Sequence, residues 1–312
     1  MDIKSKRIIF MGTPNISSKV LEGLILNGYN VVAVIAQPDR EVGRKKVLEP
    51  VPTKIVAEKY NIPVYQPVKI RKDYEFVKEL GPDVIVTLAY GQIVPQGLLD
   101  IPKQGCINLH GSLLPKYRGA APIQYALINN EKVTGMTLMK MVKEMDAGEM
   151  YATEEVEISE DDNATSLFEK MGDAALRLIL KSLPNYLEGN LKGVEQDESL
   201  VTFAPSIKPE EEKIDLSKTK EEIFGLIRGL SDVPGAYLYF EDTKLKIYHA
   251  KIVSDEILGE VGEIVKADKF GLYLQTINGV LSLLDLQQEG KKRMDYKSFV
   301  NGHSQALHTK LR

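Results

Sequence analysis

The chain has no tryptophan and one cysteine, Cys106, and its four histidines, His110, His249, His303 and His308, share no zinc-type spacing with that thiol. An internal disulfide is therefore excluded, and no motif asks for a metal. No apolar stretch approaches the roughly 18 residues that a membrane span requires. Behind the basic N-terminal residues lies only the short run Ile8-Ile9-Phe10-Met11, which is no secretory signal core. These absences predict a cytoplasmic, metal-free protein. Excess charge is scarce too: 40 Lys and Arg stand against 44 Asp and Glu, a net −4 over 312 residues. That balance neither enforces disorder nor marks a general nucleic-acid binder. With 43% hydrophobic residues, the length predicts about two folded domains.

The first third alternates β-branched runs with amphipathic stretches. Strands are predicted at 7–11, 31–36, 64–65 and 84–88, with helices beginning near Thr13 and around 53–60 and 73–80. In the first helix Thr13 reads as the cap, Pro14 as the first helical position and Gly28 as the terminator. This rhythm implies an α/β fold, a Rossmann-like and mostly parallel sheet with helices on both faces, because parallel neighbours need a crossover. Strands at 105–110, 135–140 and 151–158 and a long helix over 163–188 continue it. Past Thr202 the grammar changes. A polar, proline-bounded stretch over 205–212 precedes one helix near 220–230 and five close-spaced strands at 236–240, 244–254, 262–266, 271–275 and 279–286. That pattern predicts a small antiparallel, OB-like β-barrel. The expected division is a catalytic domain over 1–203, a linker over 204–212 and a barrel domain over 213–312.

Ligands of an open parallel sheet bind at the carboxyl ends of its strands. The first such loop, Gly12-Thr13-Pro14-Asn15, has neither the G-x-G-x-x-G nor the P-loop pattern, and Pro14 removes an amide that a phosphate cradle would use. The segment Gly105-Cys106-Ile107-Asn108-Leu109-His110-Gly111-Ser112 differs. Asn108 and His110 alternate with apolar neighbours, so an amide and an imidazole share one face at the end of a strand. A structural pair, one satisfying a loop and one buried in the core, is the competing reading. Asp146, in Met145-Asp146-Ala147-Gly148-Glu149, supplies a carboxylate able to orient the imidazole, although a turn aspartate explains that stretch alone equally well.

At Ser112-Leu113-Leu114-Pro115-Lys116-Tyr117-Arg118-Gly119-Ala120-Ala121-Pro122-Ile123, directly after Asn108-Leu109-His110-Gly111, the chain resembles the folate-dependent formyltransferases. The resemblance spans the whole length, through R-I-I-F-M-G-T-P at 7–14, Q-P-D-R at 37–40, L-A-Y-G at 88–91, D-A-G at 146–148 and a C-terminal barrel. It implies transfer of a formyl group from 10-formyltetrahydrofolate to the α-amino group of methionine esterified to initiator tRNA, by a monomeric enzyme without a metal. Carried over by position, Asn108, His110 and Asp146 become the catalytic trio. Asn108 and His110 stabilise an oxyanion, and His110 and Asp146 relay protons. Ser112, Leu113, Leu114 and Pro115 form part of the folate site, and Tyr90 and Ile93 line the pterin pocket.

Two basic segments complete the expectation. Residues 37–50 carry four basic and three acidic residues, and the resemblance implies an inserted loop that approaches the tRNA acceptor stem, with Arg40, Arg44, Lys45 and Lys46 as contacts. Residues 291–312 hold six basic residues and one acidic, with Lys291, Lys292 and Arg293 as candidate phosphate contacts. An ordinary solvated loop and tail are the alternatives. The chain departs from the family where Ser231-Asp232-Val233 stands in place of the N-P-W that many relatives carry before Pro234-Gly235-Ala236, and at Glu149, where aspartate is common. Two rival functions remain: a formyltransferase acting on an amino-sugar nucleotide or glycinamide ribonucleotide, and a non-catalytic folate- or RNA-binding module.

Overall fold

The computed structural model describes residues 3–43, 46–303 and 305–312. Along the chain lie β1 (Ile8–Gly12), α1 (Asn15–Leu26), β2 (Val31–Ile35), β3 (Arg40–Val42), β4 (Val47–Glu49), α2 (Pro52–Lys59), β5 (Val64–Tyr65), α3 (Phe76–Leu80), β6 (Val84–Leu88), α4 (Gln96–Leu99), β7 (Cys106–His110), α5 (Pro122–Ile128), β8 (Val133–Lys140), β9 (Met150–Glu157) and α6 (Ala164–Leu187). Then follow α7 (Lys220–Leu230), β10 (Ala236–Phe240), β11 (Thr243–Ser254), β12 (Ile264–Asp268), β13 (Gly271–Thr276), β14 (Gly279–Gln288), β15 (Met294–Asp295) and α8 (Tyr296–Gly302). They form two compact units, one of Met1–Gly119, Thr134–Glu157 and Phe168–Phe203, the other of Ala120–Val133, Ile158–Leu167 and Ala204–Arg312. Among the described residues no helix is long and apolar enough to cross a membrane.

The first unit is built on a seven-stranded sheet of order β5-β2-β1-β6-β7-β8-β9. Strands β5, β2, β1, β6 and β7 are parallel, and β8 runs antiparallel to β7. All five residues of β1 and of β6 are buried, as expected of parallel strands covered on both faces. Ile9, Met11, Ala33, Ile35, Ile85 and Cys106 pack on one face with Val77, Leu98 and Leu99. Their neighbours Ile8, Phe10, Val34, Val86 and Ile107, equally buried, point to the other. The strand order reverses between β1 and β6, which places the ligand crevice beside the ends of β1, β6 and β7.

The tight turn after β1 corrects one expectation. Helix α1 starts at Asn15 with Pro14 as its cap, and no side chain caps it. Thr13 instead donates to the Tyr90 carbonyl (3.0 Å) and accepts from the Gln37 amide (3.2 Å), tying three strand-end loops together. A Cβ on Gly12 would sit 2.7 Å from the Leu88 carbonyl oxygen, so the loop closes directly over β6 and leaves no phosphate cradle. Helix α3 is also shorter than predicted, beginning only at Phe76.

The second unit contains the antiparallel sheet β10-β11-β14-β13-β12, with β15 against β14. Along β10, Ala236, Leu238 and Phe240 are buried while Tyr237 and Tyr239 are half-buried, the alternation of a sheet with one inner face. The C-terminal residues span the gap between the two sheet edges. Arg312 exchanges backbone hydrogen bonds with Tyr239 of β10, and residues 308–311 bond to Gly262 and Ile264 on the β12 side. Leu311 and Ala306 belong to the hydrophobic core of this unit. Helix α5, which sequence reading missed, packs on α7, where a Cβ at Gly225 would lie 2.3 Å from the Ile128 carbonyl oxygen. Where relatives carry N-P-W, Ser231 is fully buried and its hydroxyl donates to the Tyr248 carbonyl (2.8 Å), while Asp232 accepts from Thr165 (2.9 Å).

Candidate active site

Strand β7 presents Asn108 and His110 at the carboxyl edge of the sheet, in register with Thr87 of β6 and with Met139 and Thr137 of β8. Asn108 is half-buried, and its amide has no hydrogen-bond partner among the described residues. An amide held by its strand yet internally unpaired is a donor ready for a ligand oxygen.

His110 is 5% exposed. Its Nε2 lies 2.9 Å from the Tyr117 carbonyl oxygen and its Nδ1 3.6 Å from Asp146 Oδ2. A carbonyl only accepts, so Nε2 carries the proton and donates, and Nδ1 is the nitrogen that can gain or lose one. The tautomer is thus selected by Tyr117, not by Asp146 as the sequence implied. With Nε2 committed, His110 has one free nitrogen for the two tasks expected of it. A proton arriving at Nδ1 is met by the carboxylate.

Asp146 sits in the left-handed region at φ 53°, in a turn that Gly148 closes so tightly that a Cβ there would lie 2.0 Å from the Lys140 carbonyl oxygen. Its Oδ2 accepts from the Gly119 amide at 2.9 Å. Behind this turn lie three residues that sequence reading assigned no role. Gln196 donates to the carbonyls of Asp146 (2.7 Å) and Gly148 (2.9 Å). It accepts from Arg118 Nε (3.0 Å), and the guanidinium end of Arg118 meets Glu198 at 2.7 and 3.3 Å. The signal for Arg118 was its place in the Ser112–Ile123 motif; Gln196, about 50 residues beyond Asp146 in an irregular segment, left none.

The folate candidates divide by orientation. Thr137 donates to the Ser112 carbonyl (2.6 Å) and accepts from the Leu114 amide (3.1 Å), while the Ser112 hydroxyl donates to the Lys116 carbonyl (2.6 Å). Ser112 and Leu114 are buried and build the loop; Leu113 and Pro115 keep partly open side chains. Tyr90 is a correction. Its ring is 3% exposed and packs among the core residues beneath the sheet, where burial raises the phenol well above its ordinary range. Only its carbonyl reaches the loops, accepting from Thr13 and from Gln37 (3.1 Å). Ile93 is 64% exposed.

The basic segments fare differently. Residues 40–42 pair antiparallel with residues 47–49, β3 against β4, and Arg40 and Lys46 are exposed. Arg44 and Lys45 lie outside the described residues. Asp39 anchors the base, accepting from Lys54 (2.6 Å), Gln66 (2.7 Å) and the Val51 amide (3.4 Å). Lys291 and Lys292 are exposed. Arg293 is ion-paired to both Asp232 and Asp285 (2.6 Å each) and stacked on Tyr248, so its charge is balanced within the second unit and it is a structural clamp rather than a free phosphate contact. Lys310 and Arg312 are likewise paired, with Glu260 and Asp242. A run of basic residues in sequence is not a basic patch in space when its partners arrive from elsewhere in the chain. Among the described residues no group of three or more His, Cys, Asp or Glu side chains is arranged to hold a metal ion.

The formyl transferase family model matches residues 6–183, and the model of the formyl transferase C-terminal domain matches residues 206–304. Proteins named methionyl-tRNA formyltransferase from Bacillus cereus (strain B4264) and Bacillus thuringiensis subsp. konkukian (strain 97-27) are each 46% identical over 308 residues, covering 98% of both chains. Among solved structures, an N-formyltransferase from Helicobacter canadensis in complex with folinic acid and dTDP-3-aminofucose matches with a TM-score of 0.68 at 22% identity, over 91% of this chain and 99% of that one. HypX from Aquifex aeolicus in complex with tetrahydrofolic acid matches with a TM-score of 0.67 at 16% identity, over 97% of this chain, which spans about half the length of HypX (48%). At those identities the structures speak for the fold alone. Matched along nearly its whole length by both family domains and by relatives at 46% identity, the chain belongs to the formyl transferase family.

Proposed function

We propose that the chain transfers the formyl group of 10-formyltetrahydrofolate to the α-amino group of methionyl-initiator tRNA, in the cytoplasm, for translation initiation. The observation that carries the chemistry is the internally unpaired Asn108 amide beside the His110–Asp146 pair. The relatives of the same length, named for methionyl-tRNA, supply the acceptor. In this reading residues 1–203 hold the reaction and residues 213–312, joined through 204–212, contact the tRNA.

The donor supplies a formyl carbonyl on a nitrogen leaving group, and the partly open Leu113, Pro115 and Ile93 surfaces offer apolar contacts for the faces of its rings. Asn108 donates to the oxygen on which negative charge develops during attack by the amine. A fixed donor of this kind is worth about 2.7–4 kcal/mol of barrier. An α-amino group titrates near pH 8 when free and lower as an aminoacyl ester, so much of it is already neutral at physiological pH. Ground-state deprotonation is therefore a minor burden. The proton lost as the new C–N bond forms passes to His110 Nδ1, where Asp146 stabilises the imidazolium, and returns to the departing folate nitrogen. Arg40, Lys46, Lys291 and Lys292 are the described candidates for tRNA phosphates, with Arg44 and Lys45 beside them in sequence.

The test follows label from 10-formyltetrahydrofolate into methionyl-initiator tRNA, methionyl-elongator tRNA and an amino-sugar nucleotide in parallel, with His110→Ala as control. Transfer to the initiator, lost in the variant, is the expected result. Transfer to the sugar nucleotide alone contradicts the acceptor assignment, and transfer to none of them points to a non-catalytic module.

A further inference from the structure

Asp146 is held from two directions by two consecutive residues. The Gly119 amide binds its carboxylate directly (2.9 Å), and the Arg118 side chain reaches its main chain through Gln196. Gln196 is 9% exposed and Arg118 6%. Both amide hydrogens of Gln196 are used, on the carbonyls of Asp146 and Gly148, and its oxygen faces the Arg118 guanidinium. The polarity demanded at this position is specific: two donors toward the turn and an acceptor toward the arginine. A glutamine offers both at this length, whereas a glutamate would set acceptor against acceptor at the two carbonyls. The support is itself fixed. Glu198 takes the other end of the guanidinium, the Arg118 amide donates to the Thr202 carbonyl (2.9 Å), and the Tyr117 amide donates to the Thr202 hydroxyl (2.9 Å). The segment that orients Gln196 thus also carries the Tyr117 carbonyl that selects the His110 tautomer.

We infer that Gln196 is a positioning residue for the formyl-transfer reaction, acting through Asp146 on His110, with Arg118 and Glu198 as the brace that orients its carboxamide. The inference rests on the proposed active site. A non-glycine residue at φ 53° persists because its surroundings hold it, and three of the hydrogen bonds around the turn, from Gln196 twice and Gly119 once, do the holding. Displacing a catalytic group by about 1 Å costs on the order of 100-fold in rate. Loss of the two Gln196 donors releases the main chain of Asp146 while leaving its carboxylate chemistry intact.

The experiment uses the full chain bearing Gln196→Met, which removes all three hydrogen bonds at similar length, and Gln196→Glu, which keeps the Arg118 partner and reverses the other two. Melting temperatures establish that each variant is folded, and the second serves if the first is not. Both are expected to lower kcat by on the order of 10–100-fold, with KM for donor and acceptor within about twofold of the parent. The decisive arm repeats Gln196→Met in an Asp146→Asn background, where no further loss is expected because the residue acts through the group already disabled. An unchanged kcat, a rise in KM alone, or the same fold-loss in both backgrounds overturns the inference. The ratios are read with whichever amine acceptor the parent formylates, so a wrong acceptor assignment would sink the proposed function and leave this result standing.

Discussion

The end of β7 and the β3–β4 hairpin are both strand-end elaborations of one sheet, and they are built on opposite principles. Around His110 the polar groups are tied down: Tyr117 meets its Nε2, Gly119 and Gln196 hold Asp146, and Thr137 holds the Ser112–Leu114 loop, and the unpaired amide of Asn108 stands out against them. The hairpin, in contrast, is held at its base by Asp39 and beyond that offers exposed Arg40, Lys46, Val47 and Leu48. Val47 and Leu48 are 54% and 64% exposed. In the proposed function, chemistry that depends on sub-ångström placement falls where the chain is over-determined, and recognition of a large partner falls to the element with exposed surface.

That contrast can be broken by experiment. The largest effect is expected from Asp146→Ala, which removes both the carboxylate facing Nδ1 of His110 and the acceptor for Gly119. Turnover should fall by about 10²–10⁴-fold, with tRNA affinity preserved in a binding titration. Replacing Arg40 and Lys46 together with alanine should do the reverse. KM for tRNA rises, kcat holds, and the slope of log affinity against log salt shrinks by about 0.9 for each phosphate that is no longer neutralised. A drop in kcat from the hairpin variant, or a rise in KM from Asp146→Ala, would erase the distinction.

Smaller effects concern how each region is held. Asp39→Ala strands Lys54 and Gln66 and should cost about 1–3 kcal/mol in a urea titration. Burial pulls the Asp39 carboxyl upward, but the Lys54, Gln66 and Val51 hydrogen bonds outweigh it and hold the group below the usual carboxylate range. Its stabilising contribution is therefore complete at neutral pH and fades as pH falls through the folded value, so the variant should show a flatter acid limb of stability than the parent. Arg293→Ala should cost about 1 kcal/mol or less, because its ion pairs are partly solvent-exposed. It should leave the salt slope of tRNA binding unchanged, whereas Lys291→Ala with Lys292→Ala lowers it.

What could be read in the sequence was what local periodicity encodes. The alternation Ile107-Asn108-Leu109-His110 placed two polar side chains on one face of a strand, and β7 bears that out. The buried runs gave the parallel sheet, and the close-spaced strands after Thr202 gave the antiparallel one. What escaped was set by partners remote in sequence. Arg293 looked free because Asp232 and Asp285 are not its neighbours along the chain, and the basic run 291–312 read as a phosphate-contacting patch or a solvated tail because nothing in it announces that residues 308–312 bridge β10 and β12. Tyr90 was expected as a pocket wall from the family resemblance, which does not say whether its ring turns outward or into the core. Thr13 looked like a helix cap because its local context suits one, yet two other loops compete for its hydroxyl and win.

The most direct test of the account is the single-turnover rate of formyl transfer with both substrates saturating, parent against Asn108→Ala. Because that amide has no partner among the described residues, its removal should leave the melting temperature unchanged and slow the chemical step by about 10²–10³-fold. An Asn108→Ala chain that transfers the formyl group at the parent rate would contradict the assignment of the oxyanion to this residue and, with it, the placement of the reaction at the end of β7.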